Sequence, residues 1–229
     1  MNRLNIALLG ALLVVLSAGA TAASPAAGDT YVYRVLNGYN HEVRGQITYR
    51  VDKVEADRVT VSVAADNTAL GMPHNEVYTL DGNWLRHPLI NHDQPVEYEF
   101  SPAYPAYVLP LDVGKSWSMR VMATNPATGR RNSVRVDGEV LGSEHTQVPA
   151  GTFDTIKVEH KVYAGDWESF WRETNITETN WYAPAFGRPV RTESNSGYMD
   201  PGQCSHESHA CQPVPGDWNV FELVSYGRK

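Results

Sequence analysis

Val148-Pro149-Ala150-Gly151-Thr152-Phe153 runs directly into Asp154-Thr155-Ile156-Lys157-Val158-Glu159-His160-Lys161-Val162. The first six residues read as a turn. Proline fixes its own φ, and Gly151 supplies the positive φ that closes a tight reversal. The residues that follow alternate: Ile156, Val158, His160 and Val162 share one face, and Thr155, Lys157, Glu159 and Lys161 share the other. Successive side chains on a strand point to opposite faces, so the run has one buried and one wet face. Antiparallel sheets give this signature, whereas buried parallel strands give continuous apolar runs.

The same period of two extends in both directions from this point. Ile47, Tyr49 and Val51 alternate with polar neighbours, as do Val59, Val61 and Val63; Val96, Tyr98 and Phe100; and Trp117, Met119 and Val121. Between the runs stand turn signals. Asp81-Gly82 predicts a hairpin ahead of Trp84, and Asn125-Pro126-Ala127-Thr128-Gly129 predicts one after the Trp117 strand. Pro102, Pro105 and Pro110 exclude a helix over Ser101–Pro110 and predict an extended crossing segment. In Trp181-Tyr182-Ala183-Pro184-Ala185-Phe186-Gly187, the aromatics belong to a core, while Pro184 and Gly187 end a strand and redirect the chain. Gly45 and Gly138, each inside a strand, mark candidate sheet bends. One stretch is ambiguous: Trp167, Phe170 and Trp171 sit at helical spacing after Asp166. With β segments on both sides, it reads as a loop entering a strand at Thr174. The fold class predicted is all-β: a single domain formed by a strongly curved antiparallel sheet or an open β-barrel.

The N-terminus predicts export. Arg3 precedes an apolar stretch over Leu4–Leu16, and small residues follow up to Ala23. That is the pattern of a cleaved signal peptide, here residues 1–23, with cleavage after Ala20, Ala22 or Ala23. About 13 apolar residues are too few to span a bilayer comfortably. The expected mature domain, residues 24–229, has 18 basic and 26 acidic residues, a balance of −8. Such a chain has no general attraction for nucleic acid, and no basic run overrides the average. No later segment is apolar enough for a transmembrane helix. In an oxidising compartment the two cysteines, Cys204 and Cys211, are expected to pair, for about 2–3 kcal/mol by the loop-entropy model.

Three phrases in order carry a resemblance: Leu109-Pro110-Leu111-Asp112-Val113-Gly114-Lys115-Ser116-Trp117, then Val148–Phe153, then Trp181–Gly187. Together they resemble a family of exported bacterial proteins of undetermined function, sometimes labelled TapB-like. The match covers roughly residues 107–191. The resemblance implies a curved antiparallel sheet or open barrel in the bacterial envelope, and it implies no activity and no site residues. The 204–211 loop departs from the family pattern, which makes it a place for a function particular to this chain.

The chemistry legible in the sequence is sparse. Gly114-Lys115-Ser116 echoes the end of a phosphate-binding loop, but position 109 is leucine and no helix follows. Cys204, His206, Glu207, His209 and Cys211 offer thiols, imidazoles and a carboxylate within eight residues. The spacing is not that of a familiar zinc site, and a disulfide-closed loop with solvent-facing histidines is the favoured reading. The alternative is a metal site using His206, His209, Cys204 and Cys211. No G-x-S-x-G elbow is present. His41, His74, His87, His92 and His145 read as polar surface. His160 shares an apolar face and reads as a core or rim histidine with a hydrogen-bond partner, or less simply as a functional base. Carboxylate pairs such as Glu97 and Glu99 read as a solubilising strand face. Trp167 and Trp171 are the aromatics least committed to a core, and so are candidate ligand contacts.

These observations predict no catalytic residue, cofactor or metal. They favour a non-enzymatic envelope protein, periplasmic or secreted, that binds or scaffolds an envelope partner or an apolar or glycan ligand. A hydrolase with an unrecognised active site and a metal-handling protein built on the 204–211 loop are the alternatives.

Overall fold

The computed structural model describes residues 24–91, 94–165, 174–204 and 211–228; the side chains at 91, 94, 165, 199–204 and 211–213 are not described. Twelve strands follow one another. They are β1 (Thr30–Asn37), β2 (Val43–Val54), β3 (Arg58–Ala65), β4 (His74–Thr79), β5 (Trp84–Asn91) and β6 (Gln94–Tyr104), then β7 (Ser116–Thr124), β8 (Arg131–Val148), β9 (Gly151–Gly165), β10 (Thr174–Ala183), β11 (Arg188–Cys204) and β12 (Cys211–Gly227). Each pairs antiparallel with the next, and β1 pairs with β12 from Thr30↔Gly227 to Asn37↔Asn219. The curved sheet therefore closes into a barrel, and no edge strand is left over. Among the described residues there is no α-helix, and one short 3₁₀ turn, Thr68–Leu70, caps the β3–β4 connection.

The local signals hold. Asp81-Gly82 turns β4 into β5, with Gly82 at φ 81° and its amide on the Thr79 carbonyl. Asn125–Gly129 turns β7 into β8, with Gly129 at φ 71°. Gly151 adopts φ 134°, and Gly187 adopts φ 67° after β10 ends at Ala183. The two strand glycines part company. Gly45, at φ 149°, accompanies a bulge against β1, as a bend requires. Gly138 has a different reason: a Cβ there would lie 2.2 Å from the Trp117 ring. Glycine lets that indole lie flat on the sheet, and the irregularity in β8 comes later, between Val140 and Gly142.

Eight strands close a barrel that side chains just fill, so twelve enclose a wider interior. This chain fills part of that interior. The inward rows of β7, β8 and β9 are small and apolar: Val121, Ala123, Val134, Val136, Val158, Val162 and Ala164 are almost wholly buried. The proline-rich segment after β6 enters one end of the barrel. The Pro105 carbonyl accepts from Trp117 Nε1 at 3.0 Å, and the Ala106 carbonyl accepts from His160 Nε2 at 2.8 Å. The Tyr107 amide donates to Asn83 Oδ1 at 2.7 Å. An extended segment suits this task because its carbonyls stay free for side-chain donors.

Outside, the strands carry charge. Arg34 pairs with Glu222 at 2.6 Å, Arg191 with Glu222 at 3.4 Å, Arg135 with Asp137 at 3.2 Å and Arg86 with Glu97 at 3.4 Å. Such pairs contribute little stability each. A lipid-facing barrel would carry an apolar band instead. The outward face is built for water.

Candidate functional site

The other side of the interior is not filled. A cavity of about 580 Å³ lies against the inner faces of β1–β5 and β10–β12, and β7, β8 and β9 contribute no described residue to its lining. Its walls mix valines of β1–β3 with tyrosines and three polar groups set deep in the barrel.

The first polar group is built on β4. His74, Glu76 and Tyr78 share one face of that strand, and the face points inward. Glu76 is 1% exposed. One carboxylate oxygen accepts from His74 Nε2 at 3.1 Å, with His87 Nε2 at 3.5 Å, and the other accepts from the Tyr78 hydroxyl. Burial pushes the Glu76 carboxyl up, but His87, His74 and Tyr78 outweigh it, so the group stays below its ordinary value. His74 is raised, chiefly by its bond to Glu76. Its Nδ1 faces the Met72 carbonyl at 3.0 Å, so both ring nitrogens face acceptors, as an imidazolium requires. Burial holds His87 below its ordinary value, and its ring stacks on Trp84 at 3.8 Å.

The second group is Arg188, the first residue of β11, placed by the Pro184–Gly187 turn. Its guanidinium carbon lies 4.5 Å from the Tyr31 ring centre, 4.8 Å from Tyr49 and 5.8 Å from Tyr33. Tyr33 and Tyr49 meet edge to face at 5.5 Å, and the Tyr33 hydroxyl donates to the Pro189 carbonyl at 2.7 Å. Burial raises the tyrosine hydroxyls, so they act here as neutral donors and ring faces. Among the described residues no carboxylate forms an ion pair with Arg188.

The third group is a shelf on β10 and β11. Thr192 Oγ1 donates to Asn180 Oδ1 at 2.7 Å, and Asn180 Nδ2 donates to Glu178 Oε1 at 2.6 Å. Burial raises the Glu178 carboxyl despite the Asn180 bond.

The barrel has solved counterparts. One, described as a lipoprotein of Parabacteroides distasonis, aligns with a TM-score of 0.54 at 16% identity, covering 90% of this chain and 99% of its own. Another, described as an exported protein with a YmcC-like fold from Bacteroides fragilis, aligns at 0.52 and 15% identity, covering 91% and 99%. At such identities the likeness is one of fold. The sequence matches no family model and no curated protein, so the TapB-like label rests only on its three phrases.

The residues singled out from sequence are distributed unevenly. His160 is a core histidine, 1% exposed. Its Nε2 donates to the Ala106 carbonyl, its Nδ1 faces Asn180 Nδ2 at 3.4 Å, and burial lowers it to about 4. Neither nitrogen is free to serve as a base. Cys204 and Cys211 are directly opposed in the β11–β12 register. Their side chains, with Trp167, Trp171, His206 and His209, lie outside the described residues. Among the described residues no group of three His, Cys, Asp or Glu side chains could hold a metal ion. The reading of His74 and His87 as polar surface is corrected: both turn inward to Glu76. Glu76, Arg188 and Glu178 were not singled out. Their signal was present, since each is a polar residue on the same alternation as apolar inward neighbours: Glu178 with Ile176 and Tyr182, Arg188 with Val190.

Proposed function

We propose that this protein is a bacterial envelope protein, exported to the periplasm or beyond, that binds a small organic ligand inside its barrel. The observation that carries this is the cavity: about 580 Å³, walled mainly by apolar and aromatic side chains, with a few convergent polar groups. That is the ordinary composition and size of a ligand site. A scaffold has no need of an unfilled interior, because filling it gains stability. Export is supported by the signal-like residues 1–23 and by the neighbours described as a lipoprotein and an exported protein. Binding is the role the cavity supports; His160, read from sequence as a possible base, is committed to the Ala106 carbonyl and Asn180.

The test is a fluorescence titration of ligand-stripped protein with N-phenyl-1-naphthylamine, a neutral apolar probe. Saturable binding near one equivalent is expected, and Val61→Phe, which narrows the cavity, should weaken it at least tenfold. A linear, unsaturable signal that Val61→Phe leaves unchanged would count against an internal site.

A further inference from the structure

The charged groups along the cavity wall are not all paired with one another. Glu76 is matched by His74 and hydrogen-bonded by Tyr78. Asp217, at the mouth beside the β3–β4 connection, is held by Arg44 at 3.2 Å. Glu178 is bonded to Asn180, and Asp81 lies exposed on the β4–β5 turn. Arg188 remains. Its neighbours are the faces of Tyr31, Tyr33 and Tyr49, which stabilise the cation through their quadrupoles. The Tyr33 hydroxyl accepts one hydrogen bond from Arg188, but ring faces do little for the rest of a guanidinium's five N–H donors, which lie in its plane and match the paired oxygens of a carboxylate or phosphate. A cation set this deep without a counter-charge is costly unless something arrives to pair with it. The part of Arg188 that remains accessible borders the cavity. Beside it, Val51, Val59, Val61 and Val63 form an apolar wall with no charge to match.

We propose that the cavity takes an amphipathic organic anion: a carboxylate or phosphate head pairs with Arg188, and an apolar body lies along the valines of β2 and β3. This rests on the binding role proposed above. The tyrosines hold the guanidinium in place before the ligand arrives, which reduces the side-chain ordering cost of binding. Glu76 and Glu178, on the facing walls, disfavour a second acidic group, so the site suits one head and one tail.

The experiment compares two probes that share one aromatic body. 1-Anilinonaphthalene-8-sulfonate carries an anionic head, and N-phenyl-1-naphthylamine lacks it. The wild-type protein should bind the sulfonate at least tenfold more tightly, and that advantage should shrink as salt rises. Arg188→Met should abolish the advantage, a loss of about 10–100-fold for the sulfonate, while the neutral probe binds as before. Arg188→Lys, which keeps the charge but loses the fork, should fall between. Near-UV circular dichroism checks that each variant keeps its packing, and the wild-type comparison does not depend on any variant folding. In competition, dodecanoate or dodecyl phosphate should displace the sulfonate, and whichever does so at lower concentration identifies the head. Acetate and inorganic phosphate should not displace it in the same range. If both probes bind equally to the wild type, or if acetate competes as well as dodecanoate, the anion proposal is overturned while the cavity reading stands. If neither probe binds saturably, the cavity reading itself fails.

Discussion

The two sides of the barrel interior are made of neighbouring strands, yet they obey different rules. The difference begins at a single strand boundary. Val158 on β9 is paired with Asn180 on β10, which is paired in turn with Thr192 on β11. One row along, His160 faces Glu178, which faces Ser194. Crossing from β9 to β10 replaces Val158 by Asn180, and the hydrogen-bonded His160 by Glu178, on the same inward face. On the β7–β9 side, space is consumed, and the buried His160 and Trp117 are answered by backbone carbonyls of the protein itself. On the β1–β5 and β10–β12 side, space is left, and one cation is answered by ring faces and the Tyr33 hydroxyl but, among the described residues, by no carboxylate. Burial alone explains the first side. The second is better explained by a molecule that completes it.

This contrast is sharpest under substitution. The largest effect belongs to Gly138→Ala on the filled side. Its Cβ would lie 2.2 Å from the Trp117 ring, so the indole must leave the sheet and give up its bond to the Pro105 carbonyl. A loss of about 3 kcal/mol or more in denaturant unfolding is expected. Gly142→Ala, in the same strand with nothing within 4 Å of the new Cβ, should change stability by under about 0.5 kcal/mol. Equal losses at the two positions would show that the site packing does not matter. Next come two identical enlargements. Val136→Phe, in a fully buried position, should cost about 1–3 kcal/mol through overpacking. Val61→Phe has the cavity to expand into and should be close to neutral, while it obstructs the neutral probe. A Val61→Phe loss as large as that of Val136→Phe would erase the distinction.

Two histidines, one on each side, should also titrate with opposite sign. His160, on the filled side, is lowered to about 4 by burial. Below its unfolded value of about 6.5 the unfolded chain takes up a proton that the native ring refuses, so stability falls as pH drops through that window. Between pH 7 and pH 5 the loss is about 2 kcal/mol. His74, on the cavity side, is raised by Glu76. Its contribution is fully present below the unfolded value and fades as pH rises through the folded one. Urea unfolding at pH 7 and pH 5 should therefore show a flattened acid loss in His160→Gln and a steeper one in His74→Gln. A common direction for both variants would mean that the two histidines share an environment.

The apolar rows were legible on both sides of the interior. Val59-x-Val61-x-Val63 and Ile156-x-Val158-x-His160-x-Val162 declare a strand, a face and an antiparallel partner, because period two is a local property of the chain. Closure was not legible, since it depends on Thr30 meeting Gly227 across nearly the whole sequence. The cavity's polar groups were obscured for a different reason. Arg188, Glu76 and Glu178 occupy inward positions, but a polar residue breaks the apolar pattern that identifies a face. In His74-x-Glu76-x-Tyr78 the inward face then looks like the wet one. Only the topology, which sets β4 and β5 against β10 and β11 across the lumen, turns these breaks into a site.

The smallest expected effect lies farthest from both sides. β11 runs past the end of β10, where Tyr198 pairs with Thr174, and β12 runs past the end of β1, where Asn219 pairs with Asn37. The remaining residues, up to Cys204 and Cys211, form a two-strand ribbon beyond the rim. The register alone does not set the two sulfurs at bonding distance, so the bridge rests on the oxidising compartment that export would supply. If formed, a bridge there would close a short loop, and the chain-entropy model gives it about 2–3 kcal/mol against opening of the ribbon. Little of that should reach the barrel, because the β1–β12 and β10–β11 ladders hold without the tip. Export-matured protein is expected to show no reactive thiol when denatured. Reduction should speed amide exchange in the ribbon and shift the barrel's melting by under about 2 °C, as expected for a few tenths of a kcal/mol in a domain of this size. A shift several times larger would mean that the ribbon is part of what holds the barrel closed. The comparison would then need a third region, at the rim.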